Sequence, residues 1–91
     1  MWSNEALVCL RYLKRFIAKD SPGRAAQFIQ KIIDRTEELI SNPQIGRVVP
    51  EIACNDIREL LFKNYRIVYR IKKKYIEILT VFKGHMLLKV D

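Results

Sequence analysis

The sequence has 91 residues, of which 49% are hydrophobic and 30% are charged, and its formal net charge is +7. This length and composition predict one domain, residues 1–91, that folds around a modest core and is not intrinsically disordered. No apolar run reaches the roughly 20 residues that cross a bilayer, and the start of the chain lacks the basic-then-apolar order of a signal peptide. We therefore expect a cytoplasmic protein that does not enter the membrane.

Two cysteines, Cys9 and Cys54, and a single histidine restrict the chemistry that the chain can carry. Two cysteines are too few for a disulfide scaffold and no export signal accompanies them, so we expect free, buried thiols. The sequence has no CxxC motif, and its glycines are isolated, unlike those of a P-loop or a dinucleotide-binding loop. It predicts neither a metal site nor a cofactor.

A first amphipathic helix is predicted from about Asn4 to Lys19, with Ser3 as its N-cap. Apolar residues recur at helical spacing and form its core stripe: Ala6, Leu10, Leu13 and Ile17. Three neighbours widen this stripe, which suggests contact with both a helix and a sheet: Leu7, Val8 and Phe16.

A second helix is predicted after the break at residues 20–23, with Ser21 as N-cap and Pro22 at the first helical position. It ends at Asn42-Pro43, because proline restricts the residue before it. Its core stripe comprises Ala25, Ile29, Ile32, Ile33, Thr36 and Ile40. Two amphipathic helices separated by so short a break predict a helical hairpin.

Residues 42–55 contain two prolines and a glycine with no clear periodicity, so we interpret them as an ordered connection. Arg47 is a candidate structural residue in this connection. We expect four apolar residues of the connection to contact the core: Ile45, Val48, Val49 and Ile52.

The last third of the chain, Ile57 to Phe82, predicts three consecutive β-strands separated by Lys63-Asn64 and by Lys72 to Lys74. From Tyr65 to Ile71, tyrosine and isoleucine alternate with arginine and valine, which places Arg66 and Arg70 on the opposite face of the strand from the aromatic rings. An antiparallel sheet needs cover on one face only, so we expect helices on the tyrosine face and an open arginine face. The predicted class is α+β, with an N-terminal helical hairpin packed on a small antiparallel sheet.

Positive charge is concentrated in residues 57–83, where only Glu59 and Glu77 oppose eight cations. Such a basic sheet indicates an anionic partner, either nucleic acid or an acidic protein. The cations are Arg58, Lys63, Arg66, Arg70, Lys72, Lys73, Lys74 and Lys83. The run of three lysines by itself is typical of a solvated turn.

From about Ser3 to His85, the order of these features resembles the RelE/ParE superfamily of toxin-antitoxin toxins. The resemblance rests on the helical hairpin, the loop NPQIGR, the phrase IRELLFKNYRIVYRI and the final strand Ile78 to Phe82. The NPxxGR loop, that phrase and the gap-free hairpin are most similar to the ParE branch. The chain differs from the family at both ends: only Met1 and Trp2 stand where members have a first strand, and Lys83-Gly84-His85-Met86 replaces a more basic ending.

The resemblance implies a growth-inhibiting toxin that a small acidic antitoxin neutralises. Members of the ParE branch generally poison DNA gyrase, and this function has no chemical step of its own. Members of the RelE branch cleave mRNA on the ribosome, which makes an endonuclease the alternative. The candidate target-binding residues for the first function are Arg58, Lys63, Arg66, Arg70 and Lys83.

RNA cleavage without a metal needs cations beside the phosphate and a group that carries the proton. The candidates for that constellation are Arg58, Arg66, Lys83 and His85, and the RelE branch has a catalytic arginine at the position of Arg66. We favour gyrase poisoning, because the chain has one histidine and carries Glu59 where a cleavage site needs positive charge.

Overall fold

The computed structural model describes residues 1–83. Two helices, α1 (Asn4–Ala18) and α2 (Pro22–Ser41), precede four strands: β1 (Arg47–Val48), β2 (Ile57–Phe62), β3 (Tyr65–Ile71) and β4 (Ile76–Lys83). The strands form one antiparallel sheet in the order β1-β2-β3-β4. The predicted α+β arrangement, a helical hairpin followed by an antiparallel sheet, is confirmed.

Local sequence signals determine where the helices begin. The Ser3 hydroxyl accepts a hydrogen bond from the Ala6 amide at 3.0 Å, and the Ser21 hydroxyl accepts one from the Arg24 amide at 3.2 Å. Each bond satisfies an amide that has no partner within its own helix. Both predicted N-caps are therefore confirmed.

The main core lies between the helical hairpin and the tyrosine-bearing face of the sheet. Its fully buried members include Ala6, Ile32, Leu39, Ile67 and Tyr69, so the predicted position of the helices is confirmed. Because α1 packs on one side only, two residues that were expected to widen its stripe are wrongly assigned: Val8 is 59% and Phe16 50% exposed. At the C-terminal end of α2 the buried residue is Leu39, whereas Ile40, which was predicted to face the core, is 77% exposed.

The opposite face of the sheet is not open at its centre. Val49 and Ile52, in the connection between β1 and β2, pack with Ile57 against Val68 and against two residues of β4, Leu79 and Phe82. The expectation of an open arginine face is therefore wrong here. The contacts predicted for Val49 and Ile52 exist, but Ile45 is 50% exposed.

The outer side of β4 carries the short first strand that the sequence suggested. Trp2 forms a single parallel bridge with Ile78, where the Ile78 amide donates to the Met1 carbonyl at 2.7 Å and the Ser3 amide donates to the Ile78 carbonyl at 2.9 Å. Strand β1, which has only two residues, was not predicted. It lies at the other edge of the sheet, beside β2.

Both cysteines are free, but only Cys9 is partly buried, and Cys54 is exposed. The expectation of two buried thiols is wrong for Cys54, which lies in the turn before β2. Neither helix among residues 1–83 is long and apolar enough to span a bilayer.

Candidate functional site

Arg66 is the second residue of β3 and is only 5% exposed. Its Nε donates to Glu59 Oε1 at 2.8 Å, and its Nη2 also donates to that oxygen. On the other side, Nη1 and Nη2 donate to the two carboxylate oxygens of Glu51 at 2.8 and 2.9 Å. The guanidinium is therefore held between two carboxylates, one from the neighbouring strand and one from the connection that covers this face.

Glu59 joins Arg66 to the edge of the sheet. Its side chain is completely buried, and its second oxygen, Oε2, accepts from Nε of Arg47 at 2.7 Å and lies 2.7 Å from Nη2 of the same arginine. Arg47 faces Glu59 across the β1–β2 pairing. Arg47 thus has the structural role that the sequence suggested.

The four side chains form what we call the Arg66 network: Arg47, Glu51, Glu59 and Arg66. Two positive and two negative charges make it neutral overall. Hydrogen bonding to Glu51, and then to Glu59, raises the pKa of Arg66 above its usual value although burial opposes the charged form. The arginine is therefore charged and paired with anions of its own chain.

The NPxxGR loop also has a structural role. The Tyr69 hydroxyl donates to the Pro43 carbonyl at 2.7 Å and accepts from the Gly46 amide at 3.0 Å. A Cβ atom at Gly46 would lie 2.5 Å from the Glu59 carbonyl oxygen and 2.6 Å from the Tyr69 hydroxyl. Only glycine permits this approach, so the motif fastens the end of α2 to the sheet.

Arg58 lies on the other face of the sheet from Arg66, because it stands opposite Tyr69 in the β2–β3 pairing. Its Nη1 donates to the Gly46 carbonyl at 3.0 Å. Its Nε and Nη2 donate to the carbonyl and side chain of Asn55 at 3.1 and 3.0 Å. Arg58 thus links Gly46, which precedes β1, to Asn55, which precedes β2.

The three remaining candidate target-binding residues are exposed. Lys63, in the β2–β3 turn, has its Nζ 5.9 and 5.8 Å from the ring centroids of Phe28 and Phe62. Lys83 has its Nζ 5.9 Å from the ring centroid of Phe16. Arg70 stands opposite Ile57 at the other end of β3, so these cations lie at two ends of the sheet and do not converge.

The candidate RNA-cleaving residues are not brought together either. Lys83 faces Tyr65 and Arg58 faces Tyr69, which places both on the helix-bearing side and about 13 Å apart along the strand. Arg66 lies on the opposite side of the sheet. His85 falls outside the described residues.

The pairing of Arg66 with Glu59 was not predicted, although the sequence carries a signal for it. Only Lys63 and Asn64 separate β2 from β3, and so short a turn fixes Phe62 opposite Tyr65. This register places Glu59 diagonally beside Arg66 on one face, within reach of long side chains. Glu51, which lies in an aperiodic segment, gave no such signal.

No cluster of three or more His, Cys, Asp or Glu residues capable of holding a metal ion occurs among residues 1–83. Within the Arg66 network, the cations and carboxylates pair with one another.

The fold belongs to a class of small α+β domains in which a helical hairpin packs on an antiparallel sheet. It is similar to a chain of the solved structure "Chromosomal ParDE TA system from P. aeruginosa", with a TM-score of 0.73 and 21% sequence identity over 90% of each chain. At this identity the likeness establishes the fold. No curated protein matches the sequence significantly.

The family follows from the sequence itself. Residues 1–88 match the family described as "ParE toxin of type II toxin-antitoxin system, parDE". The chain belongs to this family, and it is a toxin of a type II toxin-antitoxin system. The predicted superfamily and its ParE branch are confirmed.

Proposed function

We propose that this ParE-family toxin acts in the cytoplasm and inhibits growth by poisoning DNA gyrase. It would do so by binding, without a chemical step of its own. A small acidic antitoxin, its cognate partner, neutralises it, and the net charge of +7 is complementary to such a protein.

The observation that carries this proposal is the neutral Arg66 network. In an endonuclease, cations directed at the phosphate stabilise the negative charge that develops on it. Arg66, the residue to which the RelE resemblance assigns that task, is 5% exposed and paired with Glu51 and Glu59. Two carboxylates beside the guanidinium repel a phosphate instead of attracting it.

The positions of the other cations support the same proposal. Arg58 and Lys83 lie on the opposite side of the sheet from Arg66, so the three do not surround one phosphate. Lys63 and Lys83 are exposed at one end of the sheet and Arg70 is exposed at the other. Separated exposed cations suit contact with a large protein–DNA complex better than they suit a compact catalytic centre.

Two parallel assays with purified toxin test the proposal. In the first, gyrase, ATP and supercoiled DNA are incubated with toxin, and covalently trapped, cleaved DNA is quantified. In the second, ribosomes translating a defined mRNA are incubated with toxin, and cut sites are mapped. We expect trapped gyrase–DNA complexes and intact mRNA. Cut mRNA with no effect on gyrase would replace gyrase poisoning by the endonuclease function.

Charge-reversal variants locate the target-binding surface in the gyrase assay. Lys63→Glu, Arg70→Glu and Lys83→Glu should each weaken poisoning, by about 1–3 kcal/mol in apparent binding free energy if the residue is an interface hot spot. Lys31→Glu, on the exposed side of α2, is the matched control and should leave poisoning unchanged. If all four variants behave alike, the effect belongs to net charge and these three residues do not form the contact.

A further inference from the structure

The outer side of α1 carries two aromatic rings that are exposed to solvent. Tyr12 is 65% and Phe16 50% exposed, although the opposite side of the helix, with Ala6 and Leu13, is buried. The ring centroids lie 6.4 Å apart and the ring planes differ by 16°. Residues four apart stand on the same side of a helix, so the two rings form one continuous aromatic surface.

Positive charge surrounds these rings. The segment from Leu7 to Lys19 contains no carboxylate and has four cations, all exposed: Arg11, Lys14, Arg15 and Lys19. None of the four forms an ion pair within residues 1–83. We call these four cations, together with Tyr12 and Phe16, the α1 face. Its charge is therefore available to an anionic partner.

The cations stand on both flanks of the rings. On one flank, a shallow depression of about 300 Å³ is lined by Arg11, Lys14, Arg15 and Ala18. On the other flank, Lys83 of β4 has its Nζ 5.9 Å from the ring centroid of Phe16. A negatively charged chain that crosses the α1 face thus meets positive charge before and after the aromatic surface.

Exposed aromatic rings interleaved with cations are the combination that binds single-stranded nucleic acid. Unstacked bases pack on aromatic rings and on guanidinium planes, while the cations meet successive phosphates. A duplex keeps its bases stacked on one another, so it would use the cations of the α1 face and leave the rings without a partner. The pairing of rings and cations therefore favours a single strand.

We propose that the α1 face binds single-stranded DNA, with bases against Tyr12 and Phe16 and phosphates at Arg11 and Arg15. The choice of DNA rests on the proposed function, which places the toxin at a gyrase–DNA complex. The α1 face also has no carboxylate or amide that would accept from the 2′-hydroxyl of RNA. A second copy of the toxin is a poor occupant, because two chains of charge +7 repel each other.

Fluorescence anisotropy with a labelled oligothymidine of about 15 nucleotides measures this binding without gyrase. A DNA duplex of the same length, oligouridine RNA and polyglutamate are the comparison probes. We expect the single-stranded DNA to bind at least about fivefold tighter than the duplex and polyglutamate, and RNA to bind no tighter than DNA. A duplex or polyglutamate that binds as tightly as the single strand, or RNA that binds more tightly, would overturn the proposal.

Tyr12→Ala tests the stacking and should weaken binding of the oligothymidine at least about fivefold. Tyr12→Trp should retain the affinity, because a ring remains at the same position. Tyr75→Ala is the matched control, since Tyr75 is also exposed, at 42%, but lies in the turn between β3 and β4. It should change the affinity by less than about twofold. Equal losses from the two alanine variants would refute the stacking on α1.

The double variant Arg11→Gln/Arg15→Gln tests the phosphate contacts. Its control, Arg24→Gln/Lys31→Gln, removes two exposed cations from the side of α2 that carries Phe28, which packs against β2. The logarithm of the binding constant falls with the logarithm of salt concentration by about 0.7 per phosphate contact of a single strand. The α1 variant should therefore reduce this slope by about 1.4, and the control should leave it unchanged. Equal slopes would contradict phosphate contacts at this face.

The outcomes separate this inference from the proposed function. If the wild-type toxin poisons gyrase and does not bind the oligothymidine, the α1 face is wrong while gyrase poisoning stands. If it binds the oligothymidine through the α1 face and leaves gyrase unaffected, the DNA-binding surface stands and gyrase poisoning fails.

Discussion

Replacing Glu59 with glutamine should be among the most destabilising substitutions in the described part of the chain, although the two side chains have nearly the same shape. Glu59 is 1% exposed, and its two oxygens accept three hydrogen bonds, one from Arg47 and two from Arg66, beside an ion-pair contact with Arg47 Nη2. Glutamine keeps one acceptor oxygen and turns an NH₂ group toward one of the arginines. The Arg66 network then carries a net charge of +1.

The magnitude follows from burial. Two opposite unit charges 4 Å apart interact by about 4 kcal/mol at an effective dielectric constant of 20. Removing one partner from a buried ion pair typically costs about 3–5 kcal/mol, because the remaining charge stays buried. Domains have about 5–15 kcal/mol of stability in total, so we expect Glu59→Gln to remove a large share of it.

Urea unfolding at pH 7, followed by circular dichroism, measures this loss. With an m-value of about 2 kcal/mol/M, a loss of 4 kcal/mol lowers the midpoint by about 2 M. Glu77→Gln is the control, because Glu77 pairs with Lys72 at 3.6 Å and both side chains are partly exposed; it should cost less than about 1 kcal/mol.

A double-mutant cycle with Arg66→Gln then isolates the pair. The double variant should be less destabilised than the sum of the two single variants, by about 1–3 kcal/mol. A Glu59→Gln protein within about 1 kcal/mol of wild type, or strictly additive variants, would refute the view that this network fastens the covering segment to the sheet.

Three further substitutions test the packing by the same unfolding assay. Gly46→Ala should cost about 2–4 kcal/mol, since its Cβ would lie 2.5 Å from a backbone oxygen and the Tyr69 hydrogen bond would be disturbed; a cost below about 0.5 kcal/mol would contradict the close approach. Ile67→Ala should cost about 2–5 kcal/mol, because Ile67 is 0% exposed, and a near-neutral result would mean that the faces of β3 are assigned the wrong way round. Burial raises the pKa of Tyr69 above its ordinary 10.0, so the folded state favours the neutral phenol and wild type should lose stability as the pH rises above about 10. Tyr69→Phe should lack that component, and parallel pH profiles from pH 8 to 11 would refute it.

The parts of the fold that depend on neighbouring residues were predictable from the sequence. Period-two alternation in Tyr65 to Ile71 identified the face that receives the helices, and Ser3 and Ser21 were recognised as caps because their partners lie three residues away. Such signals need no knowledge of tertiary contacts.

The errors lie where tertiary contacts choose between adjacent candidates. Leu39 and Ile40 are both apolar and about 100° apart around α2, so periodicity alone did not determine which of them faces the core. Arg66 was expected on an open face, because neither the ion pair with Glu51 nor the cover provided by Val49 and Ile52 can be read from local patterns. The two-residue turn between β2 and β3 fixes a register that places Glu59 beside Arg66. It says nothing about the position of Glu51.

The positive charges that the sequence concentrates in residues 57–83 are not equally accessible to a partner. On the face of the sheet opposite the helices, a partner meets the neutral Arg66 network and the apolar side chains of residues 49–57. It reaches Arg66 only by displacing these side chains. At the ends of the sheet, Lys63, Lys73 and Lys74 form no ion pair within the described chain and are exposed to solvent. Acidic partners should therefore bind at the ends of the sheet, and substitution of Arg66 should weaken their binding only as far as it destabilises the fold.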